Sequence, residues 1–296
     1  MPVARPLEVK RNGTLQQAQR PVRRALDVHE ALPPAPAIMR SMRIPAAQQW
    51  WRPFREIGGA DVFHVDLALD GAREALAGPW LDDHEHARAA RYVFPESSRR
   101  YTLLRAALRS LLCERLSCGN ADLSFETADH GKPYAVVCGS PAAMHFNVSD
   151  SGRHGLIALA SEGQIGIDVE ERSDKRDLDG LAETVFGRDE RAAMASAAGH
   201  VKVERFYRLG TVKEALVKAL GTGLYLDVAT FQVPASLLQG DPGAVFSFPH
   251  LPTVRWWVED LGTIDFAAAI AHEMAPGRER ATSPTAHAAQ EELRQA

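Results

Sequence analysis

Residues 165–170 read Ile-Gly-Ile-Asp-Val-Glu, so that Asp168 and Glu170 stand two positions apart in an otherwise apolar run. The pattern predicts a β-strand over 164–170, preceded by a Glu-Gly turn at 162–163. Because strand side chains alternate between opposite faces, both carboxylates project from one face. Neighbouring acids repel each other unless a cation lies between them, which favours a hard metal ion such as Mg²⁺. An ordinary solvated strand edge is the alternative for this motif taken alone.

A second motif lies in residues 213–224, which read Lys-Glu-Ala-Leu-Val-Lys-Ala-Leu-Gly-Thr-Gly-Leu. Apolar residues at helical spacing predict a helix over 202–220, and the glycines that follow predict its end. Gly210, Glu214 and Lys218 recur every four residues, so they share one face of this helix. That face either carries catalytic groups or holds an ordinary surface ion pair between Glu214 and Lys218.

The pattern on either side of these motifs predicts two similar α+β halves. The first half has a strand from Val62, helices over 82–92 and 97–116, and paired strands over 144–148 and 155–160. After the strand at 164–170, the second half has helices near 178–198 and 202–220 and strands near 230, 245, 255 and 264–271. The expected divisions are a disordered Pro/Arg-rich extension at 1–55, an N-terminal half at 56–163, a C-terminal half at 164–275 and a disordered tail at 276–296.

The composition is that of an ordinary globular protein, with 45% hydrophobic and 24% charged residues and a net charge of -4. This charge gives no reason to expect a nucleic-acid partner. No apolar run approaches the roughly 20 residues that cross a bilayer, so we expect no membrane partner. The three cysteines lack metal-ligand spacing, which speaks against a disulfide framework or a zinc site. We therefore expect a cytoplasmic protein.

Two further stretches carry groups that bind phosphate. Basic residues gather at the helices of the first half and in a Gly-Lys-Pro turn, namely Arg88, Arg91, Arg99, Arg100 and Lys132. Residues 145–152 read His-Phe-Asn-Val-Ser-Asp-Ser-Gly and bring hydroxyl groups to the end of a strand. A solvated charged face and a simple turn are the alternatives for these two stretches.

Together the motifs resemble the Sfp-type 4′-phosphopantetheinyl transferases, and the resemblance covers residues of about 62–270. Four motifs occur in the family's order: Gly-Lys-Pro, Phe-Asn-x-Ser-x-Ser-Gly, Gly-Ile-Asp-x-Glu and Lys-Glu-Ala-x-x-Lys-Ala-x-Gly-x-Gly-Leu. The resemblance implies two α+β halves related by a pseudo-twofold axis, with coenzyme A and Mg²⁺, or Mn²⁺ in its place, in the cleft between them. It also implies transfer of 4′-phosphopantetheine from coenzyme A to a serine of an acyl or peptidyl carrier protein by a monomeric enzyme.

The resemblance also suggests roles for individual residues. The family's magnesium ligands match Asp168, Glu170 and Glu214, and its lysine beside the reacting phosphate matches Lys218. Glu170 or Glu214 is the candidate general base, and Lys218 is the candidate stabiliser or proton donor for the leaving phosphate. Positions that hold the nucleotide and its phosphates match Arg100, Lys132, Pro133 and Ser149, with Arg88 and Arg91 also aligned.

Two positions depart from the family pattern. Asp150 replaces a histidine that contacts a coenzyme A phosphate, and its negative charge would repel phosphate unless it is protonated, paired or turned away. Gly210 replaces a tryptophan one turn before Glu214, which leaves a void or an opening. A non-catalytic relative that binds coenzyme A or the carrier, and a magnesium-dependent hydrolase of the coenzyme A pyrophosphate, are the alternative functions.

Overall fold

A computed structural model describes residues 44–223 and 226–275 of the chain. The strands are β1 (Trp51–Ile57), β2 (Ala60–Asp66), β3 (Leu123–Thr127), β4 (Pro133–Val137), β5 (Ser140–Pro141), β6 (His145–Ser151), β7 (His154–Ala160), β8 (Ile165–Glu171), β9 (Gly243–Phe246), β10 (Trp256–Asp260) and β11 (Phe266–Glu273). The helices are α1 (Gly71–Ala77), α2 (Asp83–Ala89), α3 (Pro95–Leu116), α4 (Leu178–Val185), α5 (Arg188–Ala195), α6 (Gly199–Leu220) and α7 (Ala235–Leu238).

The strands form two four-stranded antiparallel sheets and one three-stranded sheet. The first sheet has the order β1-β2-β7-β6, the second has the order β8-β11-β10-β9, and the third has the order β3-β4-β5. The edge strands β6 and β8 of the two larger sheets pack side by side. The structure thus confirms a mixed α and β fold, whereas the pseudo-twofold relation between the halves stays a prediction.

Each larger sheet packs against one long helix of 22 residues. Helix α3 covers the first sheet, and its buried leucines meet Trp50 and Trp80 in one hydrophobic cluster. Helix α6 covers the second sheet and contacts β8 and β11. A third cluster contains residues of both larger sheets, such as Val62 and Ile167, and joins them. None of the helices in these described ranges is both long and apolar enough to cross a membrane.

The folded region begins earlier than the sequence predicted, because part of the expected extension at 1–55 belongs to the core. Ile44, Trp50 and Trp51 are buried, and strand β1 pairs with β2. The indole N–H of Trp50 donates to the carbonyl of Leu103 at 3.0 Å. The pattern concealed this strand because its register shifts after Pro53 and its middle residues face solvent. Residues 1–43 and the predicted tail at 276–296 lie outside the described residues.

The secondary structure of the second half differs from the prediction in two places. The expected helix near 178–198 is divided into α4 and α5, and the expected strand near 230 is a 3-10 turn over Val228–Thr230. The side chain of Asp227 caps this turn by accepting from the backbone N–H of Ala229 at 2.9 Å. Local capping therefore prevailed over the β-branched character of the segment.

Candidate active site

Side chains of β6 join the two larger sheets at their adjacent edges. The amide oxygen of Asn147 accepts from the backbone N–H of Ile167 at 2.9 Å. Two positions further along β6, the hydroxyl of Ser149 donates to Asp168 Oδ1 at 2.8 Å. Since strand residues two apart share a face, the Asn-x-Ser-x-Ser motif points one row of polar groups at β8. We call this row, made of Asn147, Ser149 and Ser151, the polar seam.

Gly166 allows helix α6 to approach the carboxylate strand β8 closely. A Cβ atom at this position would lie 2.1 Å from the carbonyl oxygen of Ala215 and 2.3 Å from the backbone nitrogen of Ala219. Any larger residue would therefore push the helix away from the strand. The glycine of the Gly-Ile-Asp-x-Glu motif is thus what brings the acidic strand beside the Glu214 and Lys218 face of α6.

Asp168 and Lys218 form an ion pair at the centre of this arrangement. The ammonium of Lys218 donates to Asp168 Oδ1 at 2.7 Å and to the hydroxyl oxygen of Ser149 at 3.0 Å. Asp168 is buried, whereas Lys218 is partly accessible from the cleft. The hydroxyl of Ser149, expected to hold phosphate, is engaged by its neighbours on β8 and α6 in this structure.

The two glutamates of the site both have raised pKa values. Burial raises the pKa of Glu170 most, a hydrogen bond from Ser151 opposes this, and the charge of Asp168 raises it further. Loss of hydration also raises the pKa of Glu214, although part of its side chain is exposed, and Lys218 opposes that shift. Asp168 and Glu170 each raise the pKa of Glu214 as well. The neighbouring carboxylates and the loss of hydration thus act in the same direction on both glutamates.

A cleft of about 500 Å³ contains these groups. Its polar wall has charged residues of both sequence motifs, namely Asp168, Glu170, Lys213, Glu214 and Lys218. Its other walls are largely apolar and include Val148, Val185, Phe186, Phe206 and Val228. Gly210 also lines the cleft, and a Cβ atom there would meet nothing within 4 Å. Its replacement of tryptophan therefore leaves an opening into the cleft.

A second, more polar depression of about 650 Å³ adjoins the cleft and shares Asp150, Glu170 and Arg176 with it. Arg176 is exposed and lies where the two depressions meet, and sequence reasoning missed it. The only signal was its position shortly after the Asp-x-Glu strand. A surrounding run of mixed charge from Glu171 to Asp179 gave no reason to single it out.

Asp150, which stands where the family resemblance expects a histidine, forms an ion pair. Its carboxylate lies 3.1 Å from Nε of Arg100, one of the residues expected to hold phosphate. Both side chains are about one third exposed, so the pair is accessible from the second depression. In this arrangement Asp150 forms an ion pair with Arg100, which the family resemblance expects to bind a phosphate of coenzyme A.

The other expected nucleotide residues lie apart from the carboxylates. The ammonium of Lys132 donates to the backbone carbonyls of Ile165 and Ala219 at 3.0 and 2.9 Å and to the Gln164 side chain at 3.0 Å. Burial lowers the pKa of Lys132 to about 8. Lys132 thus ties the turn before β4 to β8 and to the end of α6.

Pro133, Arg88 and Arg91 line neither the cleft nor the second depression. Pro133 begins strand β4. Arg88 is exposed on α2 with its guanidinium 5.1 Å from the ring centre of Tyr101, and Arg91 is exposed just after that helix. Nucleotide binding by these residues and by Lys132 stays a prediction.

The donor chemistry of the cleft fits a hard divalent ion, since three carboxylates share one wall and repel each other. Within residues 44–223 and 226–275, no three His, Cys, Asp or Glu side chains are arranged closely enough to hold an ion as they stand. The three carboxylates, Lys218 and the arginines that line the depressions, Arg100 and Arg176, together define a candidate site for chemistry on a phosphate group.

Comparison with known proteins identifies the family. The profile of the 4′-phosphopantetheinyl transferase superfamily matches residues 164–288, and the profile for the N-terminal part of 4′-phosphopantetheinyl transferases matches residues 73–164. The 4′-phosphopantetheinyl transferase ffp of Bacillus subtilis is 32% identical over 170 residues, which cover 57% of this chain and 73% of ffp. The chain therefore belongs to the 4′-phosphopantetheinyl transferase superfamily, as the motifs predicted.

Two cyanobacterial relatives are more similar in sequence over a shorter part. A Synechocystis sp. relative is 38% identical over 144 residues, covering 49% of this chain and 58% of the relative. The 4′-phosphopantetheinyl transferase HetI of Nostoc sp. is 36% identical over 144 residues, covering 49% of this chain and 61% of HetI. The matched part thus spans less than two thirds of the length of these two relatives.

Proposed function

We propose that this chain transfers the 4′-phosphopantetheine moiety of coenzyme A to a serine of an acyl or peptidyl carrier protein. The transfer converts the apo carrier into the holo carrier and releases 3′,5′-ADP. The main support for the proposal is that Asp168, Glu170, Glu214 and Lys218, four charged residues of two distant motifs, line one cleft. Relatives named as 4′-phosphopantetheinyl transferases support it.

In the proposed reaction, the serine oxygen of the carrier forms a bond to the β-phosphorus of coenzyme A. The bond from that phosphorus to the bridging oxygen breaks, and 3′,5′-ADP leaves with the electron pair. The serine proton passes to Glu170 or Glu214, the two candidate general bases in the cleft. Lys218 stabilises the negative charge that grows on the leaving phosphate.

A divalent ion, Mg²⁺ or Mn²⁺ in its place, is part of this proposal. Asp168, Glu170 and Glu214 would hold it, and their mutual repulsion in the cleft supports a cation there. When bound, such an ion neutralises charge on the pyrophosphate. Lys218 would then be free to turn from Asp168 towards the phosphate, since its side chain is partly exposed.

The nucleotide of coenzyme A is proposed to lie at the rim shared by the two depressions. Arg100 and Asp150 line the second depression, and Ser149 and Asp150 line the cleft. Arg176, at the junction, is a further candidate for the phosphates because a guanidinium binds phosphate oxygens in pairs. Lys132, Pro133, Arg88 and Arg91 belong to the proposed nucleotide side on the family resemblance alone. A cytoplasmic monomer that acts on an acidic carrier, with no nucleic-acid or membrane partner, completes the proposal.

Intact-mass measurement of a carrier protein tests the proposal. An apo carrier incubated with coenzyme A, Mg²⁺ and this protein should gain the mass of one phosphopantetheine group, with one 3′,5′-ADP released per carrier. Glu214→Gln should lose this activity, while Glu204→Gln, an exposed glutamate on the same helix α6, should keep it. Release of 3′,5′-ADP without carrier modification would instead identify a hydrolase. Coenzyme A binding without any product would identify a non-catalytic relative, an alternative that the retained motif residues do not support.

A further inference from the structure

Ser151, the last residue of the polar seam, holds the side chain of Glu170. Its hydroxyl donates to Glu170 Oε2 at 2.9 Å, and its oxygen accepts from the backbone N–H of Glu171 at 3.1 Å. A serine hydroxyl has a single proton to donate. Because the amide of Glu171 is itself a donor, it directs the Ser151 proton to the glutamate. Two hydrogen bonds therefore fix both the serine and one oxygen of Glu170.

The turn after Ser151 is anchored to the same strand. The backbone N–H of Arg153 donates to Glu171 Oε1 at 2.8 Å. Gly152 has a φ of +55°, and a Cβ atom there would lie 2.0 Å from the Glu171 carboxylate. The turn between β6 and β7 thus packs directly on the end of β8. Ser151 is held in place from the side of the turn as well as from the side of the strand.

The two serines of the polar seam differ in what they hold. Ser149 donates to Asp168 and also accepts from Lys218, so removing it disturbs the ion pair of the cleft. Ser151 contacts Glu170 and the backbone beside it. A change at Ser151 therefore acts on the orientation of one carboxylate and leaves the Asp168 to Lys218 pair in place.

We propose that Ser151 is a positioning residue that fixes one oxygen of Glu170 so that the other is presented to a divalent ion in the cleft. This inference rests on the proposed function, which places such an ion on Asp168, Glu170 and Glu214. Without the hydroxyl, Glu170 can rotate among several orientations, and binding an ion must restrict that freedom again. Groups that orient a metal ligand usually matter for metal affinity nearly as much as the ligands do.

The test is the dissociation constant for Mn²⁺, measured on the full chain by electron paramagnetic resonance without coenzyme A or carrier. Ser151→Ala should weaken Mn²⁺ binding by roughly 10-fold, the low end for groups that orient a metal ligand. Ser151→Thr, which keeps the hydroxyl, should restore the wild-type constant. Ser124→Ala, at an exposed serine of β3, is the matched control and should change nothing. Thermal unfolding of each variant shows whether the fold is kept.

Transfer kinetics provide a second measurement. Ser151→Ala should require more Mg²⁺ for half-maximal activity and reach nearly the wild-type rate when the ion is saturating. Each of three results would overturn the inference. Wild type and Ser151→Ala could have equal dissociation constants for Mn²⁺, Ser151→Thr could bind Mn²⁺ as weakly as Ser151→Ala, or the wild type could bind no Mn²⁺. Because the ion is titrated without carrier, an unmodified carrier together with the expected Mn²⁺ constants would refute the proposed function and leave the role of Ser151 standing.

Discussion

Two of the lysine–carboxylate pairs on helix α6 have the same separation but different surroundings. Lys213 lies 2.7 Å from Glu190, and Lys218 lies 2.7 Å from Asp168. The side chains of the first pair are 3% and 0% exposed, whereas those of the second are 25% and 8% exposed. The two pairs therefore have the same distance between their charges and differ in how far their side chains are exposed to solvent.

The Lys213 pair is almost completely buried, although Lys213 borders the cleft with little exposed surface. Lys213 also donates to the carbonyl of Phe231 at 2.6 Å, and its ammonium lies 4.5 Å from the ring centre of that residue. Glu190 accepts from the backbone N–H groups of Gly187 and Val233 at 2.7 and 2.8 Å. The pair joins α5, α6 and the segment after the 3-10 turn. Its hydrogen-bonding capacity is used within the protein, so it acts as a structural link.

The Lys218 pair is open to the cleft. Asp168 shares its oxygen between Ser149 and Lys218, and Glu170 and Glu214 line the same cavity. These acids lack the complete set of partners that surrounds Glu190. The Lys218 pair, which is open to the cleft beside two further carboxylates, is therefore the candidate functional pair of α6, and the almost completely buried Lys213 pair is the structural one.

The largest effect is expected from breaking the buried Lys213 pair. Glu190→Ala would leave the ammonium of Lys213 buried without its counter-charge, and removing one partner of a buried ion pair costs about 3–5 kcal/mol of unfolding free energy. Urea unfolding followed by circular dichroism measures this loss. Glu183→Ala, at an exposed glutamate on α4, is the control and should stay close to wild type. A loss below about 1 kcal/mol for Glu190→Ala, typical of a surface ion pair, would show that the pair is not a structural link.

A smaller effect is expected at the rim, where Asp150 pairs with Arg100. Asp150→Asn removes a negative charge and releases the guanidinium for a phosphate of coenzyme A. Because the pair is about one third exposed, the effect should be below about 1 kcal/mol, a fall in the Michaelis constant for coenzyme A of up to about fivefold. Initial rates at fixed Mg²⁺ and carrier measure it.

The matched control for this substitution is Asp61→Asn, which breaks the similarly exposed ion pair with Arg115 at 2.8 Å and distant from the cleft. It should leave the Michaelis constant for coenzyme A unchanged. A raised constant in Asp150→Asn would instead show that Asp150 orients Arg100 for binding rather than competing with the phosphate.

Local periodicity in the sequence was enough to predict the main parts of the fold and the site. The two-residue period put Asp168 and Glu170 on one strand, and the four-residue period put Glu214 and Lys218 on one helix face. The structure shows that these four groups line one cleft. Both inferences depend only on the geometry of a single element, which a sequence pattern records directly.

Long-range contacts were not predictable in this way. The hydrogen bond of Ser151 to Glu170 spans 19 positions, and that of Lys132 to Ala219 spans 87. The turn motif of Lys132 carries no record of the backbone carbonyls that its ammonium contacts in the fold. Strand β1 was missed for a different reason: it pairs with β2 in a local hairpin, but a register shift follows Pro53 and its middle residues face solvent.

The most direct test of the distinction between the two pairs is one paired measurement on Lys213→Met and Lys218→Met. Transfer rate and urea unfolding midpoint are determined on the same preparation of each variant. Lys218→Met should lose roughly 100-fold in transfer rate, as expected when a group that stabilises transition-state charge is removed. Its midpoint should fall less than that of Lys213→Met, because the Lys218 pair is more exposed. Lys213→Met should have a clearly lowered unfolding midpoint and a smaller loss of transfer rate than Lys218→Met. If Lys218→Met transfers phosphopantetheine at the wild-type rate, or if both variants lose stability equally, the assignment of a structural role to the Lys213 pair and a functional role to the Lys218 pair is wrong.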